Sequence, residues 1–268
     1  MLDKEGRFDL NTEFTYDKEW ADEMYQVLIN NQKLIKKYVK ENDLIKQYNA
    51  SMNIFKTRAK NYNPYANQED DEVKTDRYFY IYDSMYNYQP KKNLWGKEKP
   101  FVFQEEMERV SATFGVSRAL SKKEIVTPFF TPIESDKIGV ALNKLSANVE
   151  FVWNNDNPLA LISKIVACIT AIQPLNDGNH RTSHAMIQYY IAKAGLPSIE
   201  RNKHLREHYI AYTKFERNAI RSGDINDLIA YFFYNILERQ EQMCVELGSS
   251  PKEILNGRTF CVSDEKIL

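Results

Sequence analysis

Apolar residues recur along most of the chain at intervals of three, four and seven, the spacing of helices that bury one face. After an irregular opening over 1–16, a helix is predicted from Asp17, with Trp20, Met24, Val27, Leu28, Leu34, Ile35 and Val39 facing inward. Asn42-Asp43 breaks it, and Leu44, Ile45, Tyr48, Met52 and Phe55 resume the pattern. Pro132 leads into an amphipathic helix whose inner face is Ile138, Ala141, Leu142, Leu145, Val149 and Val152. The turn Asn154 to Pro158 precedes Pro158–Ile172, which is apolar on most faces and must be surrounded by protein. Thr182–Ala194 is predicted as the next helix, ended by Gly195-Leu196-Pro197. Ile199–Ser222 follows, broken by Gly223-Asp224, and then Asp227–Leu247, stopped at Gly248 to Pro251. Residues 252–268 are expected to form a short helix and a tail.

The pattern is weaker elsewhere. Asn61 to Tyr65 and the acidic run Gln68 to Glu72 are linker-like, and Lys91 to Gly96 suits a loop. Tyr78 to Tyr82 fits a strand or a doubly packed helix, and periodicity cannot choose between them. Ala112–Ser117 and Ile125–Phe130 are candidate strands of a hairpin within 111–131.

Composition narrows the classes. A net charge of −1, with lysines interspersed among acids, offers no nucleic-acid footprint. Cys168, Cys244 and Cys261 form neither a disulfide framework nor a CxxC pair. No apolar run is long enough to span a bilayer, and the first residues lack the apolar core of a signal peptide. A cytoplasmic protein is expected, or a secreted effector acting in a host cytosol.

Between the two central helices lies Gln173-Pro174-Leu175-Asn176-Asp177-Gly178-Asn179-His180-Arg181. Pro174 suits a loop entry and Gly178 a sharp turn. The amides that follow open a helix, where they lack intrahelical acceptors. With the positive helix end and Arg181 they make a candidate anion cradle, and Asp177 is a carboxylate suited to Mg²⁺. His180 lies in the cradle, and as a neutral ring it is a candidate base.

This string resembles the signature loop of the Fic family, His-Pro-Phe-x-(Asp/Glu)-Gly-Asn-(Gly/Lys)-Arg, often with a second Arg three residues on. Pro174, Asp177, Gly178, Asn179 and Arg181 match. Four positions depart: Gln173 stands where the family has its catalytic His, Leu175 replaces Phe, and His180 and His184 replace Gly or Lys and the second Arg. The resemblance implies an all-α fold, a Fic-like helical bundle with a small β-hairpin flap. It divides the chain into a helical arm (1–66), a linker and aromatic segment (67–110), a Fic-like core (111–245) and a tail (246–268). Fic proteins transfer AMP, or another phosphate-containing group, to a protein hydroxyl. The resemblance implies ATP or another nucleotide as ligand and Mg²⁺ on Asp177. Gly178, Asn179, His180, Arg181 and His184 would hold phosphates, and a protein target would dock on the 111–131 hairpin. Gln173 has no proton-accepting group near neutrality, so transfer is expected to be weak, altered or absent, down to an inactive binding or regulatory module.

Histidine spacing offers a different chemistry. His204 and His208 are four apart, and with Glu207 they match the H-x-x-E-H pattern of inverted zinc peptidases, with Glu238 or Glu241 as a third ligand. A zinc-dependent hydrolase is therefore the second alternative.

Overall fold

The computed structural model describes residue 9 and residues 13–54, 80–90, 101–113, 130–175, 178–199 and 206–255. Its helices are α1 (Lys18–Glu41), α2 (Ile45–Met52), α3 (80–86), α4 (Phe103–Thr113), α5 (Ile138–Ala147), α6 (Pro158–Ile172), α7 (Asn179–Lys193), α8 (Arg206–Ser222), α9 (Asn226–Glu246) and α10 (Pro251–Ile254). Among the described residues there is no strand, and the fold is all-α as expected.

The core is organised around α6. Asn157 caps it, accepting from the Leu159 amide at 2.9 Å, and Pro158 occupies its first turn, where a missing N–H costs nothing. Every residue from Leu159 to Ile172 is buried, because α1, α5, α7, α8 and α9 all pack against this helix. That enclosure is what an all-round apolar helix requires.

The N-terminal segment packs on the core. Asp17 caps α1 by accepting from the Trp20 amide at 3.1 Å. Just before it, Thr15 donates its amide to the Gly223 carbonyl at 2.9 Å and accepts from the Ile225 amide at 3.1 Å, a parallel bridge onto the α8–α9 turn. Farther along α1, the buried Asn31 and Gln32 both bond the side chain of Gln240 on α9. Asp43, at φ 54°, makes the break expected there.

Three expectations are corrected. Val152 is 62% exposed and Phe151 76%. α5 continues as a π turn over Asn148–Val152, whose wider step rotates these positions off the face that Val149 still shares with the core. Ala112 and Thr113, placed in a strand, instead end α4. The rest of the candidate hairpin, 114–129, lies outside the described residues. Ile199 does not open a helix: its amide and carbonyl are both bonded to the buried side chain of Gln188 on α7. The Tyr78–Tyr82 ambiguity falls to helix for its described part, with Tyr82 fully buried.

Candidate functional site

The α6–α7 turn is built around two carboxamides. α6 ends at Gln173, which adopts the left-handed conformation (φ 49°, ψ 56°) while its amide still bonds the Ile169 carbonyl. This lets the chain reverse, and it turns the Gln173 side chain back over the turn. Gln173 Nε2 donates to the Thr170 carbonyl at 2.6 Å, and its Oε1 accepts from Asn179 Nδ2 at 2.9 Å. Asn179 also accepts from the Leu175 amide at 2.9 Å and donates to the Leu175 carbonyl at 2.8 Å. Asn179 is thus a buried brace holding both limbs of the loop, and Gln173 is a second brace tied to the first.

Gly178 precedes α7 at φ 78°, a conformation that side chains disfavour. Gly178, in the capping position, has no side chain with which to cap α7, and no acidic residue lies in the helix's first turn. The first intrahelical bond is from the Thr182 amide to the Gly178 carbonyl at 2.8 Å. The opening turn carries the positive end of the helix dipole, and its amides lack intrahelical acceptors. Arg181 follows, part-exposed, its carbonyl accepting from the buried Tyr82 hydroxyl at 3.3 Å. A Mg²⁺ ion would have to rest on Asp177, which with Asn176 lies outside the described residues, and on the oxygens of its ligand. Among the described residues no group of three metal-ligating side chains exists.

His180 and His184 have separate fates. The His180 side chain keeps 34% of its surface exposed while Nδ1 points inward, 3.4 Å from Oε1 of Glu216. That is an ion-pair distance without hydrogen-bond geometry. His184 was expected to contact phosphate but is only 1% exposed. Its Nε2 lies 2.8 Å from the Tyr212 hydroxyl, and its ring packs beside Tyr212 and Phe232. The single Tyr212 proton is engaged by Glu216 at 2.5 Å, so His184 Nε2 must be the donor in its own bond to Tyr212. As placed, His184 is an internal strut and not a group open to a ligand.

Glu216, with Thr170 and Tyr212 around it, escaped the sequence reading. Its signal was present: an acid four residues after Tyr212 and four before Ile220, inside the apolar stripe of α8. The zinc constellation is not assembled among the described residues. His204 lies outside them, as do the side chains of Glu207 and His208. Glu238 is exposed on α9, and burial and Glu238 together raise the carboxyl pKa of Glu241.

No protein-family model and no curated protein sequence matches the chain. Solved structures do. A Fic-domain-containing signalling protein from Bacteroides thetaiotaomicron aligns with a TM-score of 0.60 at 13% identity, over 82% of this chain and 98% of that one. Fic-1 from C. elegans aligns with a TM-score of 0.53 at 12% identity, over 86% of this chain and 72% of that one. The fold is Fic-like. Separately, no described helix is long and apolar enough to cross a membrane.

Proposed function

We propose that this chain is a Fic-like protein that binds a nucleotide or another diphosphate-containing ligand at the α6–α7 turn. Transfer of AMP from that ligand to a protein hydroxyl is weak, altered or absent. The start of α7 behind Gly178 carries the binding half of the proposal. The amides of Asn179 and His180 and the side chain of Arg181 would surround the phosphates. Mg²⁺ on Asp177 would neutralise phosphate charge. A target segment would pair with a hairpin after α4, within 114–131.

The catalytic half rests on Gln173. Its amide group is committed to Asn179 and to the Thr170 carbonyl, and a carboxamide takes up no proton near neutral pH. A missing general base commonly lowers a rate ~10²–10⁴-fold, which leaves binding intact. An inactive binding or regulatory module is the limiting case of the same geometry.

Calorimetry with ATP, ADP and GTP, each with and without Mg²⁺, tests the first half. Binding is expected for the unmodified chain and is expected to weaken sharply in Asp177→Ala with Mg²⁺ present. No binding of any of the three defeats the proposal. Gln173→His, followed with labelled ATP, tests the second half: a gain in self-labelling means that the cradle was complete and that position 173 lacked a proton acceptor.

A further inference from the structure

Beneath the turn, one oxygen gathers donors from three directions. Oε1 of Glu216 accepts from Thr170 Oγ1 at 3.0 Å and from Tyr212 at 2.5 Å, and it stands 3.4 Å from His180 Nδ1. Glu216 is 1% exposed, and a carboxylate this deep is tolerated only where donors surround it. Two of those donors come from hydroxyls on α6 and α8, so the carboxylate is steadied before His180 is counted. His180 Nδ1 itself is buried and has no hydrogen-bond partner among the described residues. A carboxylate oxygen in front of a sealed ring nitrogen selects the tautomer that carries its proton on Nδ1. The lone pair is then on Nε2, in a ring that is part-exposed one residue into α7.

We propose that Glu216 and His180 form a carboxylate–imidazole dyad, with His180 the catalytic base of the transfer reaction and Glu216 its positioning residue. This deepens the nucleotide reading and rests on it. In the step, the oxygen of a protein hydroxyl bonds to the α-phosphorus of ATP while the bond from that phosphorus to the leaving diphosphate breaks. The hydroxyl proton passes to Nε2 of His180, and the electron pair of the broken bond departs with the diphosphate. Positive charge then develops on a ring whose Nδ1 lies 3.4 Å from Glu216, and the pair tightens into a hydrogen bond. A resting separation of 3.4 Å suits this, since catalytic hydrogen bonds are often long before substrate binds. Around His180, Arg181 beside it on α7 opposes the imidazolium and Glu216 on α8 favours it. Tyr212 and His184 are bonded to each other.

The test uses the full chain with Mg²⁺ and α-labelled ATP, scored by self-labelling, together with nitrogen NMR of the histidine rings. His180 is expected in the Nδ1–H form, moving towards the Nε2–H form in Glu216→Gln. Both Glu216→Gln and His180→Ala are expected to lose about 10²-fold in labelling rate without loss of ATP affinity. His180 is partly exposed, so its alanine variant keeps the test valid if Glu216→Gln fails to fold. An Nε2–H ring in the unmodified chain, undiminished labelling in His180→Ala, or no labelling while ATP binds overturns the dyad. If ATP does not bind at all, the nucleotide reading fails and the base assignment with it, while the ring spectrum still reports whether the two residues pair.

Discussion

The two ends of α6 use their polar side chains differently. At the N-terminal end every group closes on another. Asn157 caps the helix and donates to the Ala21 carbonyl and to Asp22 at 2.9 and 2.8 Å. Lys164 pairs with Asp156 at 2.6 Å, its ammonium lying 5.2 Å from the Tyr16 ring and 5.3 Å from that of Trp153. At the C-terminal end the loop is braced as firmly, through Gln173 and Asn179. There, Gly178 has no side chain to cap α7, and His180 lies 3.4 Å from Glu216 without hydrogen-bond geometry. A saturated polar network fastens elements together. A helix N-terminus without a capping side chain of its own is where the proposed ligand would sit.

The sharpest way to separate the two ends is Asn179→Ala. It removes three hydrogen bonds from the turn and is expected to cost roughly 3 kcal/mol in denaturant unfolding and to abolish ATP binding together. Retained binding would mean that the turn does not hold the ligand. Asn157→Ala is the control from the other end. Loss of the cap and of the tie to α1 is expected to cost about 2 kcal/mol, with ATP affinity unchanged. Lys164→Met is milder. Asp156 is part-exposed and can be solvated again, so a change within about 1 kcal/mol is expected from the melting midpoint. A large loss there would show that the ion pair supports α6 more than its surroundings suggest. The smallest effect concerns Cys168 on α6, whose thiol pKa is pushed up to about 12 by burial. It stays protonated at pH 8, so mass spectrometry after alkylation of the native chain should find it unmodified. Any residual rate should rise roughly tenfold per pH unit until the pH nears that value. Rapid labelling at pH 8 would reveal opening of the helix.

Much of this architecture is legible in the sequence. Asp17, Asn157-Pro158, Gly178 and Gly223 mark helix boundaries through local backbone chemistry, and local chemistry is written in neighbouring residues. The all-round apolarity of Pro158–Ile172 announced its central position for the same reason. What escaped notice depended on distant partners. Nothing adjacent to Glu216 says that Thr170 and His180 meet it, and nothing adjacent to Thr15 says that it pairs beside Asp224. The π turn at Asn148–Val152 leaves no periodic trace, because it inserts its shift inside an otherwise regular helix. His184 stands at the position of a second phosphate clamp, and its ring turns inward to Tyr212.

The left-handed backbone at Gln173 also limits which residues that position can accept. Valine, isoleucine and threonine would be strained there whatever their chemistry, whereas glycine, asparagine and histidine enter at little steric cost. The permitted alphabet at the mouth of the turn is thus short, and it happens to include the one side chain able to restore a proton acceptor. An exchange between a silent and a reactive form of this fold would need a single side-chain replacement and no rebuilding of the main chain.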